Sequence, residues 1–325
     1  MNTIADIQNG SHLTPLMNTA ANVQKIEAAE ESRQQGYTSF PCSMYFADSE
    51  TDGSLKFDTK AHWHSSTELL HFERGTFSLS INMENTVVTG ECYAFVESGM
   101  LHSITSEPAY RESALLFSPS VLSTRNIDSS EQNLIEPLIH GNLTLPRFIR
   151  PGMPVFAEFD RLYRQIADIF RNADDRRDDQ FNLSGASDQL RCKALMMLLV
   201  SALAESGLLT ASDYVPDSKV EALKSVLSYI NGNYGSKIYI RDLAELMNFN
   251  EQYFSRFFRK TVGRTCVDYI NNVRVRHAMK MLRTTSLPVL DIAYACGFGN
   301  IGHFIQTFKK ATGKKPLEYR MQHIT

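Results

Sequence analysis

Nothing in this 325-residue sequence approaches the roughly 18 to 20 uninterrupted apolar residues that a membrane-spanning helix requires. The longest apolar run, Ala194 to Val200, has the length of a segment within a core helix. The first twenty residues lack both a basic start and an apolar core, so no secretory signal is expected there. Cysteine is scarce and scattered. Cys42, Cys92, Cys192, Cys266 and Cys296 are odd in number and never fall in CxxC spacing, which argues against a disulfide framework and against a zinc ribbon. A reducing cytoplasm is the expected location, with no membrane partner. Hydrophobic residues at 43% and charged residues at 21% fit a soluble globular chain long enough for two or three domains.

The net charge of −3 conceals a division. From Ser218 to Thr325 there are 17 Lys plus Arg against 7 Asp plus Glu, a net +10, while the first 217 residues carry 16 against 29, a net −13. A basic region joined to an acidic one assigns any polyanionic partner to the C-terminal part.

That basic region contains one pattern twice. The first copy runs Leu243-Ala244, Phe249, Phe254, Phe258, Arg259-Lys260, Gly263 and Tyr269. The second runs Ile292-Ala293, Phe298, Phe304, Phe308, Lys309-Lys310, Gly313 and Tyr319. The offset is 49 residues up to Phe298 and 50 afterwards, so one residue is inserted in the second turn. Each copy predicts helix, tight turn, helix: Ile240 to Met247 then a helix capped by Asn250, and Val289 to Cys296 then a helix capped by Asn300 and running to about Thr312. Phe254, Phe257, Phe258 and Thr261 share one face of the first capped helix, and Gln252, Ser255, Arg256 and Arg259 share another. In the second, Phe304, Phe308 and Ala311 face inward while Gly302, His303, Gln306 and Lys309 face outward or sideways. Cys266 to Thr284 predicts a linking helix with Arg274, Arg276, Lys280 and Arg283 exposed. A major groove admits one α-helix, and two such units can occupy successive grooves about 34 Å apart on double-stranded DNA.

The segment from Ser218 to Arg320 resembles the DNA-binding domain of AraC/XylS-family transcription regulators. The resemblance is carried by Ile292-Ala293-Tyr294-Ala295-Cys296-Gly297-Phe298, Phe304, Phe308-Lys309-Lys310, Gly313, Pro316 and Tyr319-Arg320. It implies a seven-helix domain with one recognition helix in each half. The family's base-reading positions fall on Gln252, Ser255 and Arg256, and on Gly302, His303 and Gln306. Gln306 suits adenine better than guanine, and Gly302 has no side chain to read with, so the first helix is expected to supply more sequence specificity.

Residues 40 to 120 alternate as strands do: Ser43 to Phe46, Glu68 to Phe72, Thr76 to Asn82, Glu91 to Val96 and Ser113 to Phe117, with Gly75, Gly90 and Gly99 between several of them. A small β-barrel or sandwich is expected. Within it, His62-Trp63-His64, Glu68 and the later His102 are similar to the two cupin motifs, in which these residue types converge on one metal. His62 and His64 share a face of an extended chain, and three imidazoles with a carboxylate suit Fe, Mn, Ni, Cu or Zn. The second motif departs from the pattern, with Glu97 where Pro is usual and a spacing from Gly90 one residue too long. Three readings stay open: a sensor binding an organic ligand without metal, a metal-assisted sensor, and purely structural histidines. Trp63, His71, Phe72, Tyr93 and Phe95 are candidate pocket residues, with plain core as the alternative.

The expected architecture is therefore α+β and multidomain. It comprises a flexible arm (1–35), a cupin-like ligand-sensing barrel (36–150), a helical linking or dimerising region (151–209), a linker (210–217) and the all-α DNA-binding domain with two helix-turn-helix units (218–325). Val155 to Arg171 and Ala186 to Leu208 predict two long helices, the second with Leu190, Ala194, Met197, Leu198 and Leu203 as apolar positions, and Asn172 to Asp179 predicts a charged loop. Relatives commonly dimerise through this region, and packing against the barrel is the alternative. The function expected is that of a ligand-responsive transcription regulator, not an enzyme. Its expected partners are promoter DNA, a small-molecule effector, a second copy of itself and, if it activates, RNA polymerase. A metal-dependent cupin enzyme carrying a DNA-binding domain is the rival from another class.

Overall fold

The computed structural model describes residues 36–52, 56–124, 128–173, 175–177, 180–212 and 217–321. The expected N-terminal arm and the centre of the expected linker, 213–216, lie outside them. The N-terminal lobe begins with β1 (Cys42–Asp48), the short α1 (Ser49–Asp52), β2 (Asp58–His62), β3 (Thr67–Arg74), β4 (Thr76–Ile81), β5 (Glu84–Thr89), β6 (Cys92–Val96), β7 (His102–Ser106) and β8 (Arg111–Phe117). There follow α2 (Glu136–Ile139), β9 (Leu143–Thr144), β10 (Phe148–Ile149), α3 (Phe156–Arg171), β11 (Asp175–Arg177), β12 (Gln180–Asn182), α4 (Ala186–Glu205) and β13 (Thr210–Ala211).

Two antiparallel sheets face each other, one ordered β10-β6-β3-β8-β1-β12-β11 and the other β2-β7-β4-β5. In β4 the alternation is plain, with Phe77, Leu79 and Ile81 buried and Thr76, Ser78 and Ser80 turned outward. β3 is buried on both faces because α3 and α4 cover the outer side of its sheet. Its even-numbered residues, Leu70 and Phe72, enter the barrel interior with Phe77, Ala94, Val96 and Leu116. Its odd-numbered Leu69 joins Tyr93, Phe95, Phe159, Leu162 and Phe170 in the layer under the helices. Burial of each such side chain contributes about 1.5–3 kcal/mol. All five cysteines are buried free thiols.

Two local expectations change. The charged stretch before Phe181 is not a plain loop: β11 pairs with β12, which pairs in turn with β1, so a short hairpin extends the sheet beyond β1 and leaves a short, charged edge strand. On α4 the buried positions are Cys192, Met196, Leu199, Val200, Ala202 and Leu203, whereas Leu190 and Leu198 are 69% and 52% exposed. The helix is apolar nearly all round, so its composition could not fix which face meets the sheet.

The C-terminal lobe is all helical: α5 (Ser218–Asn233), α6 (Ile240–Glu245), α7 (Glu251–Val262), α8 (Cys266–Thr284), α9 (Val289–Ala295), α10 (Ile301–Thr312) and α11 (Pro316–Met321). The linking helix α8 serves two cores. Ile270 and Val273 join Leu243, Phe254 and Phe258, while Val275, Ala278 and Leu282 join Ile292, Phe304 and Phe308.

Candidate nucleic-acid interface and histidine centre

Both recognition helices start and stop as their sequences dictate. The Asn250 side chain accepts from the Tyr253 N–H at 2.8 Å, and Asn300 accepts from the His303 N–H at 3.0 Å. Gly263 and Gly313 end α7 and α10 with φ of 76° and 77°. Gln252, Ser255, Arg256 and Arg259 are all exposed on α7, as are Gly302, His303, Gln306 and Lys309 on α10. Gly302 brings no side chain to this face. A Cβ there would stand 3.1 Å from Asn300 Oδ1, the capping atom. Along α8 the expected row of exposed cations is thinner than its sequence suggests, because Arg274 and Arg276 are half-buried. Arg274 donates to the Tyr234 and Ser236 carbonyls at 2.9 and 2.8 Å, bracing the second turn, and Arg276 reaches Asn231.

In the barrel, His62, His64 and His102 meet at one end of the interior. Each offers a ring nitrogen within 4.8 Å of the other two, and all three side chains are buried. The His62 and His102 rings are 4.2 Å apart and the His64 and His102 rings 5.0 Å. Every Nδ1 faces a backbone carbonyl: His62 that of Lys60 at 2.7 Å, His64 that of Ser66 at 2.9 Å, and His102 that of Met100 at 2.9 Å. A carbonyl can only accept, so each Nδ1 carries the proton and each Nε2 presents its lone pair. Glu68 Oε2 then lies 3.0 Å from His102 Nε2 and 3.6 Å from His64 Nε2. Lone pairs and a buried carboxylate converge there without a hydrogen bond between Glu68 Oε2 and His102 Nε2, a donor set that a cation could satisfy. Three imidazole nitrogens with locked tautomers and one carboxylate oxygen fit a divalent transition metal.

The other candidate pocket residues separate by strand parity. Phe72 enters the barrel interior, but Tyr93 and Phe95 lie in the layer under the helices. His71 stacks on Tyr93 with centroids 4.3 Å apart, edge-on to Tyr163, and its Nε2 is 3.5 Å from Glu91. Burial, with Arg164 nearby, pushes its pKa down to about 3. His71, Glu91 and Asp160 also have the spacing of metal donors, but Arg164 donates to both carboxylates at 2.6 and 2.8 Å and already meets their charge. Trp63 does not join the histidines; it packs against the core of the C-terminal lobe. Glu97 accepts from the Leu145 N–H at 3.0 Å and ties the following segment to the barrel, a role that the cupin-like pattern gave no hint of.

The sequence reading also missed a cavity of about 310 Å³ outside the barrel. Glu97 and Met100 line it from the barrel, Leu138 and Val200 from the helical region, and Glu221 and Lys224 from α5. It unites residues too far apart in sequence to form a visible motif.

An AraC-like ligand binding domain matches residues 51–200, and a helix-turn-helix domain matches residues 243–322. The HTH-type transcriptional activator AarP of Providencia stuartii is 33% identical over 99 residues, covering 30% of this chain and 73% of AarP. The chain belongs to the AraC/XylS family. An uncharacterized HTH-type transcriptional regulator of Bacillus subtilis (strain 168), YdeC, is 22% identical over 263 residues, 80% of this chain and 85% of YdeC. Another, YijO of Escherichia coli (strain K12), is 30% identical over 128 residues, 39% of this chain and 45% of YijO. The match thus spans about half the length of some curated relatives. No helix among the described residues is long and apolar enough to cross a membrane.

Proposed function

We propose that the protein is a cytoplasmic, ligand-responsive transcription regulator whose two recognition helices enter successive major grooves of promoter DNA. The observation that carries this is the pair of Asn-capped helices, each presenting polar and basic side chains outward from a lobe of net charge +10. Lys and Arg around the helices neutralise phosphates and set affinity, while Gln252, Ser255, Arg256, His303 and Gln306 meet base edges. Selection of bound duplexes from a random library by the full-length protein tests this. Paired half-sites about 10 base pairs apart are expected, and no enrichment over input would overturn it.

His62, His64, His102 and Glu68 are proposed to hold a divalent transition metal. The metal would supply a fixed charge that joins β2, β3 and β7 at one end of the barrel. Elemental analysis of protein purified without a chelating tag is expected to give about one metal per chain, lost in the His62→Ala/His102→Ala double variant. No metal in either protein after incubation with candidate ions would favour the metal-free sensor. A second reading places an organic effector in the cavity beside Lys224, because that cavity is lined by both lobes and has the volume of a small-ligand site. Homodimerisation is supported by Leu190, Ala194 and Leu198, which leave an exposed apolar stripe at i, i+4, i+8 spacing along α4. Contact with RNA polymerase would follow if the protein activates.

A further inference from the structure

We propose that the barrel rim carrying the histidine centre is also the surface that grips the first helix-turn-helix, so that an ion in the centre tightens the grip on α7. This rests on the metal reading of the centre. Each histidine has a chain neighbour that belongs to the grip. Ala61 precedes His62, Trp63 lies between His62 and His64, and Leu101 precedes His102. Successive residues of an extended chain point to opposite sides, so as the imidazoles turn inward these neighbours turn outward. Ala61 and Leu101 are 5% and 3% exposed and belong to the same apolar cluster as Leu243, Phe254 and Phe258 of the first half. Trp63 and Met83 pack against that cluster from the barrel, and Phe249 and Phe257 from the first half.

The platform is built with some strain. Asn82 and Met83 form the turn between β4 and β5 with φ of 48° and 72°, the left-handed region that asparagine adopts readily but that costs a residue such as Met83 about 1 kcal/mol or more. Asn82 also clasps Leu101: its N–H donates to the Leu101 carbonyl at 2.7 Å, and its Oδ1 accepts from the Leu101 N–H at 3.0 Å. Met83 and Leu101 are thereby held as one surface. The ladder between β2 and β7 is regular at Asp58 and Thr59 and then shifts register before His62 pairs with His102. Such an irregularity re-aims side chains but weakens the backbone tie at that point.

Ligation of His62, His64 and His102 would replace the missing tie. A rim ordered in advance binds α7 at lower entropic cost, and by linkage docking raises ion affinity by the same factor. The gripped side of α7 is a flank, with Phe249 against Tyr253 and Phe257 at 4.6 and 5.4 Å, and Gln252, Ser255 and Arg256 lie on a different face.

The test uses the full-length protein and Zn(II) alone, which brings no redox chemistry. Bound zinc is measured by equilibrium dialysis, Trp63, the sole tryptophan of the chain, by its emission, and α7 and α10 by amide hydrogen exchange. The expected result is about one zinc per chain, a shift of emission to shorter wavelength, and exchange in α7 slowed at least about tenfold with α10 unchanged. Met83→Asp, which leaves all four donors in place, is expected to bind zinc more weakly and to lose the effect on α7; Met83→Ala gives the same direction should the charged variant misfold. Zinc bound without any change in Trp63 or α7 would overturn the grip while leaving the metal reading intact. Absence of bound zinc in the dialysis would overturn both. A zinc effect on α7 that survives in both Met83 variants would overturn this surface as its route.

Discussion

The two halves of the DNA-binding lobe share one local frame and differ in what surrounds it. In the first, the Phe249 N–H donates to the Ala244 carbonyl at 2.9 Å; in the second, the Phe298 N–H donates to the Ala293 carbonyl at 3.0 Å. Each turn passes through the left-handed region at equivalent positions, Asn248 with φ of 54° and Gly297 with φ of 80°. Outside the frame the likeness ends. The first half packs its flank against the barrel through Trp63 and Met83, whereas the second half's core, among the described residues, is drawn from its own helices and from Tyr234 after α5. Capping and turn chemistry are local, so a repeat reproduces them; the neighbours are tertiary, so each half can be tied to a different part of the molecule.

The sharpest break of this comparison is at the turn. A Cβ on Gly297 would stand 2.4 Å from the Tyr234 carbonyl oxygen and 3.0 Å from Arg274 Nε. Backbone at that distance cannot yield cheaply, so Gly297→Ala is expected to destabilise by about 3 kcal/mol or more. Asn248→Gly relieves an unfavourable φ and is expected to change stability by about 1 kcal/mol or less. Thermal or denaturant unfolding of the two variants reads the difference. Equal losses would show that the turns have the same surroundings.

Acid should loosen the first half's support more than the second's. His71, under α3, has a folded pKa of about 3 against an ordinary 6.5. The folded barrel binds fewer protons there than the unfolded chain, so this contribution is complete above about pH 6.5 and is lost as pH falls towards 3. Between pH 7 and pH 5 it amounts to about 2 kcal/mol. Wild type is expected to lose about that much more stability over this window than His71→Gln, with hydrogen exchange rising in α7 before α10. Parallel pH profiles for the two proteins would remove His71 as the cause.

Most of the C-terminal lobe was legible in its sequence because the signals are short-range. Asn250 and Asn300 cap, Gly263 and Gly313 terminate, and the phenylalanine spacing gives the buried face. The histidine cluster was legible for a similar reason, as His62 and His64 share a strand face and the cupin-like spacing supplied Glu68 and His102. What failed was placement across faces. His71 and Phe72 are adjacent on β3 and point to opposite sides, so they could not both line the barrel; parity alone would have separated them. Trp63 fails by the same parity against His62 and His64. Which apolar stripe of α4 stays exposed, the cavity beside Lys224 and the clasp between Asn82 and Leu101 all depend on partners distant in sequence.

The smallest expected effect concerns what the two helices read. On α7, Gln252, Ser255 and Arg256 all bring side chains to the exposed face. On α10 the first of the equivalent positions is Gly302, which brings no side chain to that face. The second helix thus has one candidate reader fewer, leaving His303 and Gln306. Arg256 can donate two hydrogen bonds to one guanine, a contact worth about 1–3 kcal/mol of discrimination. Arg256→Ala is therefore expected to relax base preference at its position by about tenfold or more, and Gln306→Ala by less. Relative affinities across single-base variants of a selected site measure both. A larger loss from Gln306→Ala would mean that the second half carries the specificity, and the grip on α7 would then govern affinity alone.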